Sequence, residues 1–136
     1  MTAAPAFAPS QRSFEVSFEP APAFVSPCRR ITTASLRRWG VPEAVIDNVV
    51  LVVSELVTNA IEHGGSNTAL RVCLNDGELR IEVADGNQSP ATLQDPADDD
   101  ESGRGLYLVA LLAELWGTND AGATTWCTLR LPSEDA

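Results

Sequence analysis

The chain has 136 residues, a formal charge of −10, 44% hydrophobic and 21% charged residues. That length suits one domain whose core needs neither disulfides nor a structural metal, and the acidic balance argues against a nucleic-acid backbone as partner, because neutralising phosphates takes clustered Lys and Arg. Three cysteines without a C-x-x-C pair, together with a single histidine, argue against a disulfide frame or a metal cluster and leave a basic protein surface as the easier partner.

Residues 1–11 are rich in Ala and Pro, lack periodicity and are expected to form a loose tail. The segment after Met1 has neither a basic n-region nor a long apolar stretch, and no apolar run approaches the roughly 20 residues of a membrane span, so a cytoplasmic protein without a membrane anchor is expected. Phe14, Val16 and Phe18 alternate with Ser13, Glu15, Ser17 and Glu19, the period of a half-buried strand, and Pro20 stops it at what should be a sheet edge. From Ala23 to Trp39 the spacing of Phe24, Val25, Cys28, Ile31, Leu36 and Trp39 predicts an amphipathic helix ended by Gly40. Arg29, Arg30, Arg37 and Arg38 lie between these positions, making either a solvated basic face or a partner-facing one. Pro42 suits the first turn of a second helix that runs to His63, where Gly64 and Gly65 offer a left-handed cap.

Leu70, Val72 and Leu74, then Leu79, Ile81 and Val83, alternate on either side of Asp76-Gly77, which predicts an antiparallel hairpin with a tight turn. Residues 86–102, GNQSPATLQDPADDDES, hold two prolines and five acids crowded between Asp95 and Glu101, a length that points to a lid or binding loop. A third helix is expected from Gly103 to Trp116, on the spacing of Leu106, Val109, Ala110, Ala113 and Trp116, with Gly117 as its cap. A short strand near Thr118, a last strand over Thr124–Leu131 and a polar tail at 133–136 follow. The order β-α-α-β-β-α-β-β, with hairpins and no strict βαβ alternation, predicts an α+β fold. It should be a two-layer sandwich with helices on one face of a mainly antiparallel sheet, formed by residues 12–132.

The stretch Leu51–Gly65 carries the chemistry. Val45, Val49, Val52, Val53, Leu56 and Ala60 form an apolar stripe, while Glu55, Asn59 and His63 step along another face at i, i+4 and i+8. Spacing alone would make that second face merely solvated. No G-x-x-x-x-G-K-[ST] loop is present, yet Gly103-Arg104-Gly105 opens a helix in the way that binds phosphate, with unpaired amides and the positive dipole end aligned. Taken alone, those glycines would be only a tight turn.

Together, Ser54-Glu55-Leu56-Val57-Thr58-Asn59-Ala60 with His63, Asp85 closing a strand, the acidic loop and Gly103-Arg104-Gly105 resemble the GHKL ATPase superfamily, with its histidine-kinase-like ATPase fold. Within it, the likeness is greatest to the small stand-alone anti-sigma-factor serine/threonine kinases of actinobacteria, and it runs from about Ser13 to Pro132. The resemblance implies ATP and Mg²⁺ as cofactors. It assigns Asn59 to the cation that bridges the phosphates, Glu55 to the general base toward a hydroxyl, and Asp85 to the exocyclic amine of adenine. Residues 86–102 become the ATP lid; Gly103, Gly105 and Leu106 become the second glycine box, Arg104 a γ-phosphate contact and Thr125 a residue near the base. His63 would shape the helix end. The implied partners are a sigma factor and an anti-anti-sigma protein of STAS type, and the implied assembly is a homodimer.

One departure stands out. The superfamily's first glycine box reads D-x-G-x-G, whereas Asp85 is followed by Gly86-Asn87-Gln88-Ser89, and Asp98-Asp99-Asp100-Glu101 would repel a triphosphate unless the lid turned outward or a cation screened it. Two readings therefore stand side by side: an ATP-dependent kinase acting on a partner protein, or a non-catalytic interaction module on a degenerate ATPase fold. A histidine-kinase fragment ranks below both, since no phosphoacceptor helix accompanies it.

Overall fold

A computed structural model describes residues 12–63, 67–85, 108–119 and 123–132. The elements are β1 (Arg12–Phe18), a 3-10 turn (Pro22–Phe24), α1 (Val25–Arg38), α2 (Glu43–His63), β2 (Thr68–Asn75), β3 (Glu78–Ala84), β4 (Leu115–Asn119) and β5 (Thr124–Arg130). Residues 108–112 are helical. The strands make one antiparallel sheet in the order β1-β2-β3-β5-β4, so β1 is an edge, as its pattern predicts, and the β2–β3 hairpin is central. The architecture is the expected α+β sandwich.

Local chemistry explains the junctions. Asp76 (φ 53°) and Gly77 (φ 78°) both adopt positive φ, the type I′ geometry whose twist matches that of the flanking strands. Gly40, at φ 79°, ends α1 in a Schellman motif: the Val41 amide donates to the Leu36 carbonyl and the Gly40 amide to that of Arg37, both at 3.0 Å. Val41 and Leu36 are buried, supplying the apolar contact that accompanies this cap.

The core lies between α2 and the sheet. Ile46, Val49, Val52, Val53, Leu56, Val57 and Ala60 of α2 are buried, against Leu70, Val72 and Leu74 of β2, Leu79, Ile81 and Val83 of β3, and Cys127 and Leu129 of β5. Each such aliphatic side chain contributes about 1.5–3 kcal/mol through removal from water. By length and composition α2 is apolar enough to cross a membrane, with a mean hydropathy of 1.7, which corrects the expectation that no apolar run approaches such a length. Its apolarity has a role here, since seven of its residues fill this core. Two ring contacts fasten the segments flanking α1 to β1, Phe18 with Phe24 of the 3-10 turn at 5.6 Å and Phe14 with Trp39, the residue after α1, at 6.3 Å.

The expected third helix ends early. Ala113 still donates to the Val109 carbonyl at 2.8 Å, but the Glu114 amide turns to the Thr128 carbonyl at 2.7 Å, and Leu115–Asn119 pair with β5. Trp116 and Gly117 thus sit in a strand, not in a last turn and its cap. Pairing with β5 outweighs the helical spacing, because the ladder satisfies backbone groups that a longer helix would leave at the sheet edge.

Candidate functional site

On α2, the apolar stripe turns to the sheet and leaves Glu55 and Asn59 half-buried, one turn apart, with His63 exposed in the last turn. The two faces follow from the helical period: residues four apart share a side, so burying Val49, Val53, Leu56 and Ala60 leaves Glu55 and Asn59 at the margin of the core.

Glu55 looks into a groove between the two helices. With Asp47, Val50, Leu51 and Ser54 of α2 it lines a cavity of about 500 Å³ whose opposite wall is Arg29, Thr33 and Arg37 of α1. A neighbouring cavity of about 570 Å³ shares Arg29, Thr33, Arg37 and Val50 and extends along α1 to Ser26 and Arg30. Arg37 clips the far end to Glu43 through two hydrogen bonds, Nε to Oε2 at 2.9 Å and Nη2 to Oε1 at 3.1 Å, and the bond from Arg37 holds the Glu43 carboxyl below its usual range. In a chain of charge −10, this groove has a basic wall leading to a carboxylate. Both are placed by helix packing, so the position of Arg29 and Thr33 across the groove from Glu55 had no counterpart in the linear pattern.

A second polar group sits on the sheet. Asp85 directly follows β3, is 9% exposed, and donates its backbone N–H to the Ala123 carbonyl at 2.8 Å. Thr125 is buried and faces Val83 across the β3–β5 ladder. Directly opposed residues share a face and alternate residues repeat it, so Asp85, two beyond Val83, and Thr125 lie on the helix-covered side, at the end where β3 leaves the sheet. Sequence reasoning named both residues. It missed Thr68, buried at the start of β2 on the same side, although stepping the alternation back from Leu70 lands on it.

Glu55, Asn59, Asp85 and Thr125 therefore all belong to α2 or to the sheet face it covers. Gly103, Arg104, Gly105, Leu106, the lid residues 86–102 and the glycines 64–65 lie outside the described residues. Among the described residues, no three His, Cys, Asp or Glu side chains converge as a metal site. The donor set fits a hard cation only as one that arrives with its own phosphate oxygens and waters and takes a single amide oxygen, from Asn59.

The family model for the histidine kinase-like ATPase domain matches residues 18–129. Among solved structures, the chain is similar to the RsbU and RsbW domains of Rv1364c from Mycobacterium tuberculosis, with a TM-score of 0.62 and 21% identity over 88% of this chain. It spans 32% of that longer chain. At this identity the likeness speaks to the fold. No curated protein matches the sequence.

Proposed function

The chain belongs to the histidine-kinase-like ATPase domain family, matched from residue 18 to residue 129, and from that premise we propose that it is an ATP- and Mg²⁺-binding regulator of the cytoplasm. In this reading it is an anti-sigma factor that phosphorylates a serine or threonine of an anti-anti-sigma, STAS-type partner, sequesters a sigma factor and self-associates as a homodimer. The observation that carries it is the burial of Asp85 beside Thr125 at one end of the sheet face covered by the helix of Glu55 and Asn59.

Each residue has a role suited to its chemistry. Buried at the strand end, the Asp85 carboxylate accepts from the exocyclic amine of adenine, and the Thr125 hydroxyl reaches the ring edge. Asn59 would offer its amide oxygen to the cation, and Gly103, Arg104, Gly105 and Leu106 would bind the phosphates. Bound ATP would supply the phosphoryl group to the partner's hydroxyl oxygen, with ADP as the leaving group. Glu55 takes the hydroxyl proton, and the groove beside it is where the partner's acceptor segment enters. Phosphoryl transfer needs positioning and charge stabilisation above all, so this small set of groups suffices.

A second reading, an interaction module without catalysis, draws support from the basic α1 wall of the groove and from the Gly86-Asn87-Gln88-Ser89 run in place of the first glycine box. Thermal unfolding with and without Mg·ATP separates the two. At a hundredfold excess over Kd, binding adds about 2.7 kcal/mol, a rise of several degrees that Asp85→Asn and Asn59→Ala should abolish. No rise at millimolar nucleotide would favour the interaction module.

A further inference from the structure

Thr68 opens β2 where the chain returns from α2, and it is 1% exposed. The residues that follow on its side of the strand, Leu70, Val72 and Leu74, are all aliphatic. Its Oγ1 is buried and, among the described residues, has no hydrogen-bond partner. An unpaired buried hydroxyl is costly, and valine would fill the same volume without that cost. A threonine here thus weakens the apo fold unless the hydroxyl meets a partner in another state.

The ladder points to that partner. Ala69 faces Ala84, so one step further along the register Thr68 faces Asp85; on its other side Thr68 pairs with Phe18. Both Thr68 and Asp85 are buried on the helix-covered side. Side chains opposed in this way start from Cβ atoms about 4.5–5.5 Å apart, within reach of a hydroxyl-to-carboxylate hydrogen bond after rotation about the Thr68 χ1 torsion.

We infer that Thr68 is a positioning residue for the nucleotide base: with the base bound, its hydroxyl donates to one oxygen of Asp85 and turns the other toward the exocyclic amine. This rests on the nucleotide reading above and adds a residue to it. Thr68 acts through Asp85 and does not touch the ligand, whereas Thr125 borders the base itself.

The test compares wild type with Thr68→Val and Thr68→Ser. It measures affinity for Mg·ATP, affinity for the triphosphate of purine riboside, which lacks the 6-amino group, and unfolding temperature without nucleotide. Thr68→Val should unfold at or above the wild-type temperature, bind Mg·ATP about tenfold more weakly, as expected for a lost bond to a charged group, and bind the amine-free triphosphate like wild type. Thr68→Ser should restore the affinity for ATP. If Thr68→Val folds poorly, Thr68→Ala removes the same hydroxyl and gives the same comparison. Unchanged ATP affinity in the variant lacking the hydroxyl overturns the inference and leaves the nucleotide site standing. Equal losses for both triphosphates also overturn it, by showing a general disturbance. Failure of wild type to bind either triphosphate overturns the nucleotide reading and this inference with it.

Discussion

Gly117 on β4 lies directly opposite Trp126 on β5, so close that a Cβ added to the glycine would stand 3.1 Å from the Cζ2 atom of the indole. The indole also carries the Arg80 guanidinium 4.6 Å from its centroid. A residue that looks like a helix cap in sequence therefore makes room for a ring. Gly117→Ala ordinarily gains a few tenths of a kcal/mol from the unfolded chain. Here the ring must give by a few tenths of an ångström, disturbing its contact with Arg80, and a net loss of about 1 kcal/mol is expected, seen as a lower unfolding temperature. A higher one would mean that the indole yields freely.

Gly40 presents the opposite situation. Among the described residues nothing lies within 4 Å of an added Cβ, and the demand is conformational, φ +79°. Gly40→Ala should cost about 1 kcal/mol from the left-handed backbone alone, a few degrees of unfolding temperature for a domain of this size. Gly40→Asn should lose less, since asparagine tolerates that region. Equal losses in both variants would point to something other than φ.

Burial pushes the Cys127 thiol from 9.0 up to about 12, with Arg80 pulling weakly the other way. The unfolded thiol ionises near 9, while the folded one keeps its proton to about 12, so above pH 9 the unfolded state binds fewer protons and stability falls as pH rises. The slope in that window is about 1.4 kcal/mol per pH unit from this group. Urea unfolding at pH 8, 9 and 10 should show the decline, and Cys127→Val should flatten it. A Cys127→Val profile as steep as wild type would assign the decline to other groups.

Glu55 and Arg29 line opposite walls of the groove, and under the kinase reading proposed above this separates nucleotide binding from phosphoryl transfer. Glu55→Gln should keep the Mg·ATP-induced rise in unfolding temperature and lower phosphoryl transfer to a protein acceptor by about 10²–10⁴-fold, the usual worth of a general base. Arg29→Glu, reversing charge on the groove wall, should also keep the rise while weakening transfer through poorer acceptor docking. Transfer unchanged in Glu55→Gln would remove the residue from the mechanism.

Much of this protein is written in local pattern. The alternation of Leu70, Val72 and Leu74 and of Leu79, Ile81 and Val83 specifies two strands and their buried side, and Asp76-Gly77 specifies the turn between them, because each depends only on neighbouring residues and their allowed φ. The same holds for the Gly40 cap and for the separation of Glu55 and Asn59 from the apolar stripe of α2, which follows from 3.6 residues per turn. Tertiary structure decided the rest. Whether Trp116 and Gly117 ended a helix or began a strand depended on the offer of backbone partners from β5, which lies further along the chain and not in their local pattern. Glu55 gained Arg29 and Thr33 as groove neighbours only when α1 packed on α2. Thr68 came to lie one register step beyond the Ala69–Ala84 pair, on the Asp85 side, only when β2 and β3 set their register, since a residue's partner across a ladder is fixed by pairing between strands and not by its place in the chain.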